Sequence, residues 1–158
     1  MCLIVDANVA VQVFASIGTT DFSPVQEALL NGEAVGVYGG KLKDEYFAIK
    51  KIRKIILELD RKGSLRKVSD ASVSAATRKV DNEGRCCSDD SHIIALARVS
   101  EVRLLCSHDH ALHADFTNPR ILRPPGSVYQ NPSHRQLIRR HCADGKVNRR
   151  RTRASGTV

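Results

Sequence analysis

The sequence predicts an α/β fold: a three-layer α/β/α sandwich around a central, mostly parallel sheet. Three observations carry this expectation. Short apolar runs of strand length at residues 2–5, 34–38 and 102–106 alternate with longer segments of helical period. The chain has 158 residues, enough for one core, and no run of about 18 apolar residues that could span a membrane. Its apolar share of 42% and charged share of 27% belong to folded globular chains, not disordered ones.

Each element follows in order. Residues 2–5 (CLIV) read as a buried strand ended by Asp6. That acid arrives too early for a signal peptide, and no basic stretch precedes it. Residues 7–16 continue as a helix closed by Gly18, and Ser23-Pro24 opens a second helix over 24–31. These apolar helices offer a possible homodimer surface. Residues 34–38 are the second strand, broken by Gly39-Gly40. A single helix is expected over 41–61, with Leu42, Ile49, Ile52, Ile56 and Leu59 on one stripe and Lys43, Lys50, Lys54 and Arg61 opposite. Residues 69–80 are a further helix, capped by Ser69 or Asp70, and Asn82-Glu83-Gly84 is a turn. A helix over 90–99 and a strand over 102–106 come next, then a short helix over 110–116. RILR at 120–123 reads as a last strand, and 133–142 as a weak helix. The domain division is therefore a sandwich over 1–123, an extension over 124–145 and a basic, disordered tail over 146–158.

Charge separates these regions. The net charge is +8, yet residues 1–115 carry 15 Lys and Arg against 16 Asp and Glu. Residues 116–158 carry 10 against 1. A basic region of this kind favours a polyanion such as RNA, with Lys50, Lys54, Arg149, Arg150 and Arg151 as candidate phosphate contacts. Aromatic residues are only 4%, so base stacking is a minor expectation. The five cysteines (2, 86, 87, 106 and 142) are odd in number and contain no C-x-x-C, which predicts reduced thiols in a cytoplasmic protein and no structural zinc.

Four acids stand out by position. Asp6 and Asp109 directly follow predicted strands, on the edge where open α/β sheets place their functional crevice. Asp90 faces inward with Ile93, Ile94 and Ala97, while His92 points away toward the surface. Glu45 projects from the middle of an apolar stripe, where an unpaired carboxylate is costly and needs a partner, a cation or a cleft. Gathered carboxylates repel one another unless divalent ions such as Mg²⁺ or Mn²⁺ offset them. Helix capping is the competing explanation for Asp6, Asp90 and Asp109, each at a helix start, but not for Glu45. His108, His110 and His113 read as polar residues beside the cleft. A phosphatase with an Asp nucleophile would want Asp-x-Asp, and Asn8 fills the second place.

The segments LIVDANV (3–9), GGKLKDEY (39–46), DDSHIIALA (89–97) and LLCSHDHAL (104–112) resemble, in that order, the four acidic motifs of PIN-domain nucleases. The resemblance covers residues 2–116. It implies the α/β/α sandwich and Mg²⁺- or Mn²⁺-dependent cleavage of RNA. Asp6, Glu45, Asp90 and Asp109 would be the catalytic, metal-holding acids, with Asn8 and Ser107 in supporting places. It further implies in-line hydrolysis with the 3′ oxygen leaving, and, for VapC-type members, a toxin role restrained by an antitoxin protein. The basic segment 41–67 and the long C-terminal region depart from compact toxins. The alternative is a module that keeps the fold, binds RNA or a regulatory partner, and does not cut.

Overall fold

The computed structural model describes residues 1–143. β1 (Ile4–Val5) leads through a 3-10 turn (Ala7–Val9) into α1 (Ala10–Phe14). α2 (Ser23–Leu30) precedes β2 (Gly36–Tyr38), and α3 (Lys41–Ala48) and α4 (Lys50–Lys62) precede β3 (Leu65–Lys67). α5 (Asp70–Glu83) and α6 (Ser91–Ser100) precede β4 (Leu104–Cys106). α7 (His110–Phe116) and β5 (Ser127–Tyr129) follow, then α8 over 135–143.

All strand pairings are parallel: β1 with β4, β4 with β5, and β2 with β3. A parallel bridge between Leu3 and Gly36 joins the two groups, so the strands run in the order β3-β2-β1-β4-β5. Helices flank this sheet, giving the three-layer α/β/α sandwich. The chain builds outward from β1 to β3, then returns to the other side of β1 with β4. β1 and β4 therefore bound the point where the winding direction reverses, and the crevice of such a sheet opens at that point beyond the strands' carboxyl ends. β1, β2 and β4 are buried throughout, which explains their continuous apolar runs.

The stripe expected for one helix over 41–61 belongs to two. Ile49 is extended (φ −92°, ψ 101°) and separates α3 from α4. Arg53 Nε donates to Phe47 O at 2.8 Å, satisfying a carbonyl at the end of α3. Leu42 and Tyr46 of α3 and Ile52, Ile56 and Leu59 of α4 are all buried, so the apolar period passes through the break unaltered. Gly40 starts α3 at φ 58°, and a Cβ there would lie 2.7 Å from Val73 Cγ1. Its N–H donates to Asp70 Oδ1 at 3.0 Å, and Lys43 Nζ pairs with Asp70 Oδ2 at 2.5 Å. Asp70 thereby fixes the first turn of α3.

Four further expectations change. Residues 120–123 are turns: Ile121 and Leu122 both donate to Asn118 O at 2.9 Å. Their carbonyls go to arginines instead of a ladder, with Arg98 on Ile121 O and Arg103 on Arg123 O. The last strand is β5, four residues further on, so the sheet passes the domain boundary expected at 123. β3, at the sheet edge, was not predicted; only Leu65 of its three residues is buried. Finally, Cys2 and Cys142 form a disulfide, Cα–Cα 5.1 Å, across 140 residues of sequence. The reduced state predicted for all five cysteines does not hold for this pair, which fastens α8 to the start of β1. Odd count and irregular spacing conceal such a pairing because only the fold brings its ends together. Cys86, Cys87 and Cys106 are free thiols.

Val11, Ile17 and Leu30, in the region predicted to offer a dimer surface, are exposed. Among the described residues no helix is long and apolar enough to cross a membrane. The predicted basic tail, with Arg149, Arg150 and Arg151, lies outside the described residues.

Candidate functional site

The β1–β4 register decides where the first carboxylate goes. Val5 pairs with Cys106, so the next residues, Asp6 and Ser107, emerge side by side at the carboxyl edge. Ser107 Oγ donates to Asp6 Oδ2 at 2.8 Å and accepts from the Asp109 N–H at 3.0 Å. Ser107 is fully buried and Asp6 is 5% exposed. Ser107 thus bridges the Asp6 carboxylate and the Asp109 backbone. Asn8 is exposed and makes no such bond.

Asp6, Asp90 and Asp109 all stand at helix N-cap positions, yet they behave differently. Asp109 Oδ1 accepts from Ala111 N at 3.0 Å and Leu112 N at 3.2 Å, capping α7. Asp6 and Asp90 make no side-chain cap bond. Capping therefore accounts for Asp109 and leaves the other two without a helical explanation.

Asp6 and Asp90 are perturbed by their surroundings. Burial pushes Asp6 above the usual carboxylate range; the Ser107 hydrogen bond opposes this, and Glu45 adds to it. Burial likewise pushes Asp90 up, to about 6, with further pressure from Asp6, Glu45 and a hydrogen bond to Asp109. Asp90 is the acid on which the fields of the other three converge.

His92 corrects the sequence reading. It is 3% exposed, not a surface residue, and its Nε2 lies 2.8 Å from Glu45 Oε1. Its Nδ1 is 4.0 Å from Asp90 Oδ1. Burial holds the imidazole below its ordinary pKa despite the Glu45 charge. The reassignment has a simple cause: α6 is buried nearly all round from His92 to Ala97, so no single apolar face identifies the inward direction. Glu45, which needed a partner, finds it here. Glu45, Asp90 and His92 each offer a ligand atom within 4.8 Å of the others.

A second residue missed by the sequence reading is Asp115, 1% exposed on α7. Its carboxylate accepts from Cys87 N and Ser88 N, both at 3.0 Å. Burial opposes its ionisation, but these donations hold its pKa below the usual value. Asp115 anchors the loop that delivers Asp90. A lone Asp in a short helix carries no sequence signal for this role.

Lys50 and Lys54 are exposed on α4. His108 packs edge-on against Phe22, and His113 Nε2 meets Ser107 O at 2.7 Å, so these histidines brace the strand end. Cys106 is buried and its thiol pKa is pushed far up, which excludes it as a nucleophile.

Comparison with protein-family models, with curated proteins and with solved structures finds no match to this chain.

Proposed function

We propose that the protein is a divalent-cation-dependent endoribonuclease whose site is the carboxyl-edge crevice holding Asp6, Glu45, Asp90 and Asp109. One observation carries this reading. Asp6 and Asp90 are drawn into a shared like-charged environment at the winding reversal of the sheet, and neither is spent on capping its helix. The like-charge cost of that arrangement is one that a divalent cation would offset. The donor set also fits the ion: carboxylate oxygens suit Mg²⁺ and Mn²⁺. The resemblance to PIN-domain nucleases supports the same reading.

Asp6, Glu45, Asp90 and Asp109 would hold one or two such ions. When bound, the ion supplies charge neutralisation, activation of water and stabilisation of the leaving oxygen. The chain's own contribution is preorganisation. Ser107 fixes Asp6 by its Oγ–H, and Asp109 is fixed by its two cap bonds. Asp115 secures the loop before α6. No side-chain nucleophile is required. The exposed Lys50 and Lys54, with the basic C-terminal region, offer phosphate contacts that hold RNA near the crevice.

The test is cleavage of labelled RNA, beside DNA, with Mg²⁺, Mn²⁺ or EDTA, by wild type and by a D6N/D90N variant. The expected result is RNA cleavage that needs the cation and is lost in the variant. RNA binding without cleavage under either cation favours the binding-module alternative. Equal cleavage by the variant refutes the assignment of the site.

A further inference from the structure

We propose that His92 is a positioning residue for Glu45, and that it sets the cation affinity of the crevice; this rests on the cation-site reading above. The argument begins with burial. His92 is almost wholly enclosed, on a helix buried on nearly every side from His92 to Ala97, where a polar ring needs a specific partner. Its partner is not a backbone carbonyl but Glu45 Oε1, at 2.8 Å, on a helix 47 residues earlier in the chain.

The proton assignment follows from chemistry. An ionised carboxylate only accepts hydrogen bonds, so the ring nitrogen facing it, Nε2, carries the hydrogen. In the neutral ring, Nδ1 is then the lone-pair nitrogen, and it faces Asp90 at 4.0 Å. The imidazole thus fixes Glu45 by donation, while Nδ1 stands beyond hydrogen-bond distance of Asp90.

The consequence concerns Glu45 more than His92. A glutamate on a helix has three rotatable bonds, and ordering it costs entropy each time it takes up a ligand. The bond to His92 removes that freedom in advance and leaves Oε2 for the cation. Outer partners of this kind tune affinity through the ligand they hold; their removal typically weakens metal binding about 10- to 100-fold. The same bond ties α3 to α6, the helices that deliver Glu45 and Asp90. A purely structural tie would affect melting temperature alone, so the two roles separate experimentally.

Glutamine and asparagine divide the ring's functions. Gln places its amide N–H near the position of Nε2, whereas Asn places it near Nδ1. Mn²⁺ affinity, read from the free-ion EPR signal on the full chain at pH 7, is expected to fall about 10- to 100-fold in H92L and H92N. H92Q is expected to stay within about threefold of wild type. E45Q/H92L should bind no more weakly than E45Q alone, since both changes remove the same contribution. Wild-type affinity in H92L, or an H92Q as weak as H92L, overturns the proposal while leaving the cation site standing. A wild-type chain that binds no Mn²⁺ overturns the site and this inference together. A measurement that needs no variant is the ¹⁵N spectrum of the imidazoles. It should show His92 as the Nε2–H tautomer, and an Nδ1–H tautomer refutes the assignment.

Discussion

The two edges of the sheet handle charge in opposite ways. At the amino edge, Arg98 and Arg103 spend most of their donors on fixed acceptors. Arg98 pairs with both oxygens of Glu83 and donates to Ile121 O; Arg103 donates to the carbonyls of Ala97, Val102, Arg123 and Pro124. Burial and Arg98 hold the Arg103 pKa below its ordinary value, yet its donors are occupied by fixed acceptors. At the carboxyl edge, acids gather with one serine and one histidine between them, and two of their pKa values are pushed up. One edge is built to be stable by itself. The other keeps like charges close together, an electrostatic cost that the proposed cation would offset.

That contrast is most sharply broken by substitutions on the two edges. The largest expected effect is on activity: D6N/D90N should reduce cation-dependent RNA cleavage by at least about 10³-fold in a single-turnover assay, with the fold intact by circular dichroism. Next, R98A should destabilise the chain by about 1–2 kcal/mol in a urea melt, because it removes a two-pronged pair with exposed Glu83 and leaves the part-buried Ile121 carbonyl without its donor. The same variant should still cut RNA once folded.

Third, D90N should move stability the other way. Asp90 is raised to about 6 in the folded chain from an ordinary 3.8. A carboxyl raised on folding contributes no penalty well below its ordinary 3.8, where both states are protonated. Its penalty grows as pH rises through 4 to 6 and is complete above that. Cation-free wild type should therefore lose up to about 3 kcal/mol between those limits, and D90N should lose less, as measured by urea melts in EDTA. Equal pH profiles for the two chains would remove the electrostatic argument for Asp90. Fourth, truncation after Gly145 should weaken RNA binding and make its salt dependence shallower, with little change in melting temperature. The smallest effect is analytical. Thiol titration of the denatured, unreduced chain should give three reactive cysteines, rising to five after reduction.

Most of the fold was legible in the sequence because β1, β2 and β4 are buried throughout and read as apolar runs. β3 was not, since two of its three residues face solvent at the sheet edge. The break at Ile49 was not, since Tyr46, Ile52 and Ile56 keep helical phase across it. Of the candidate site, Asp6 and Asp109 were legible as residues following strands, and Glu45 as a charge in an apolar stripe. His92 was misread because an amphipathic period has no meaning in a helix enclosed on nearly every side. The Asp115 anchor and the Cys2–Cys142 bond depend on contacts 27 or more residues apart, which no local pattern encodes.

The central claim is that a divalent cation completes the carboxyl edge. Thermal melting at pH 7 with and without Mn²⁺, in wild type and D6N/D90N, tests it directly. The account predicts that the ion raises the wild-type melting temperature in a concentration-dependent way and that the variant loses this response. A wild type indifferent to Mn²⁺, or a variant that gains the same increment, would contradict it.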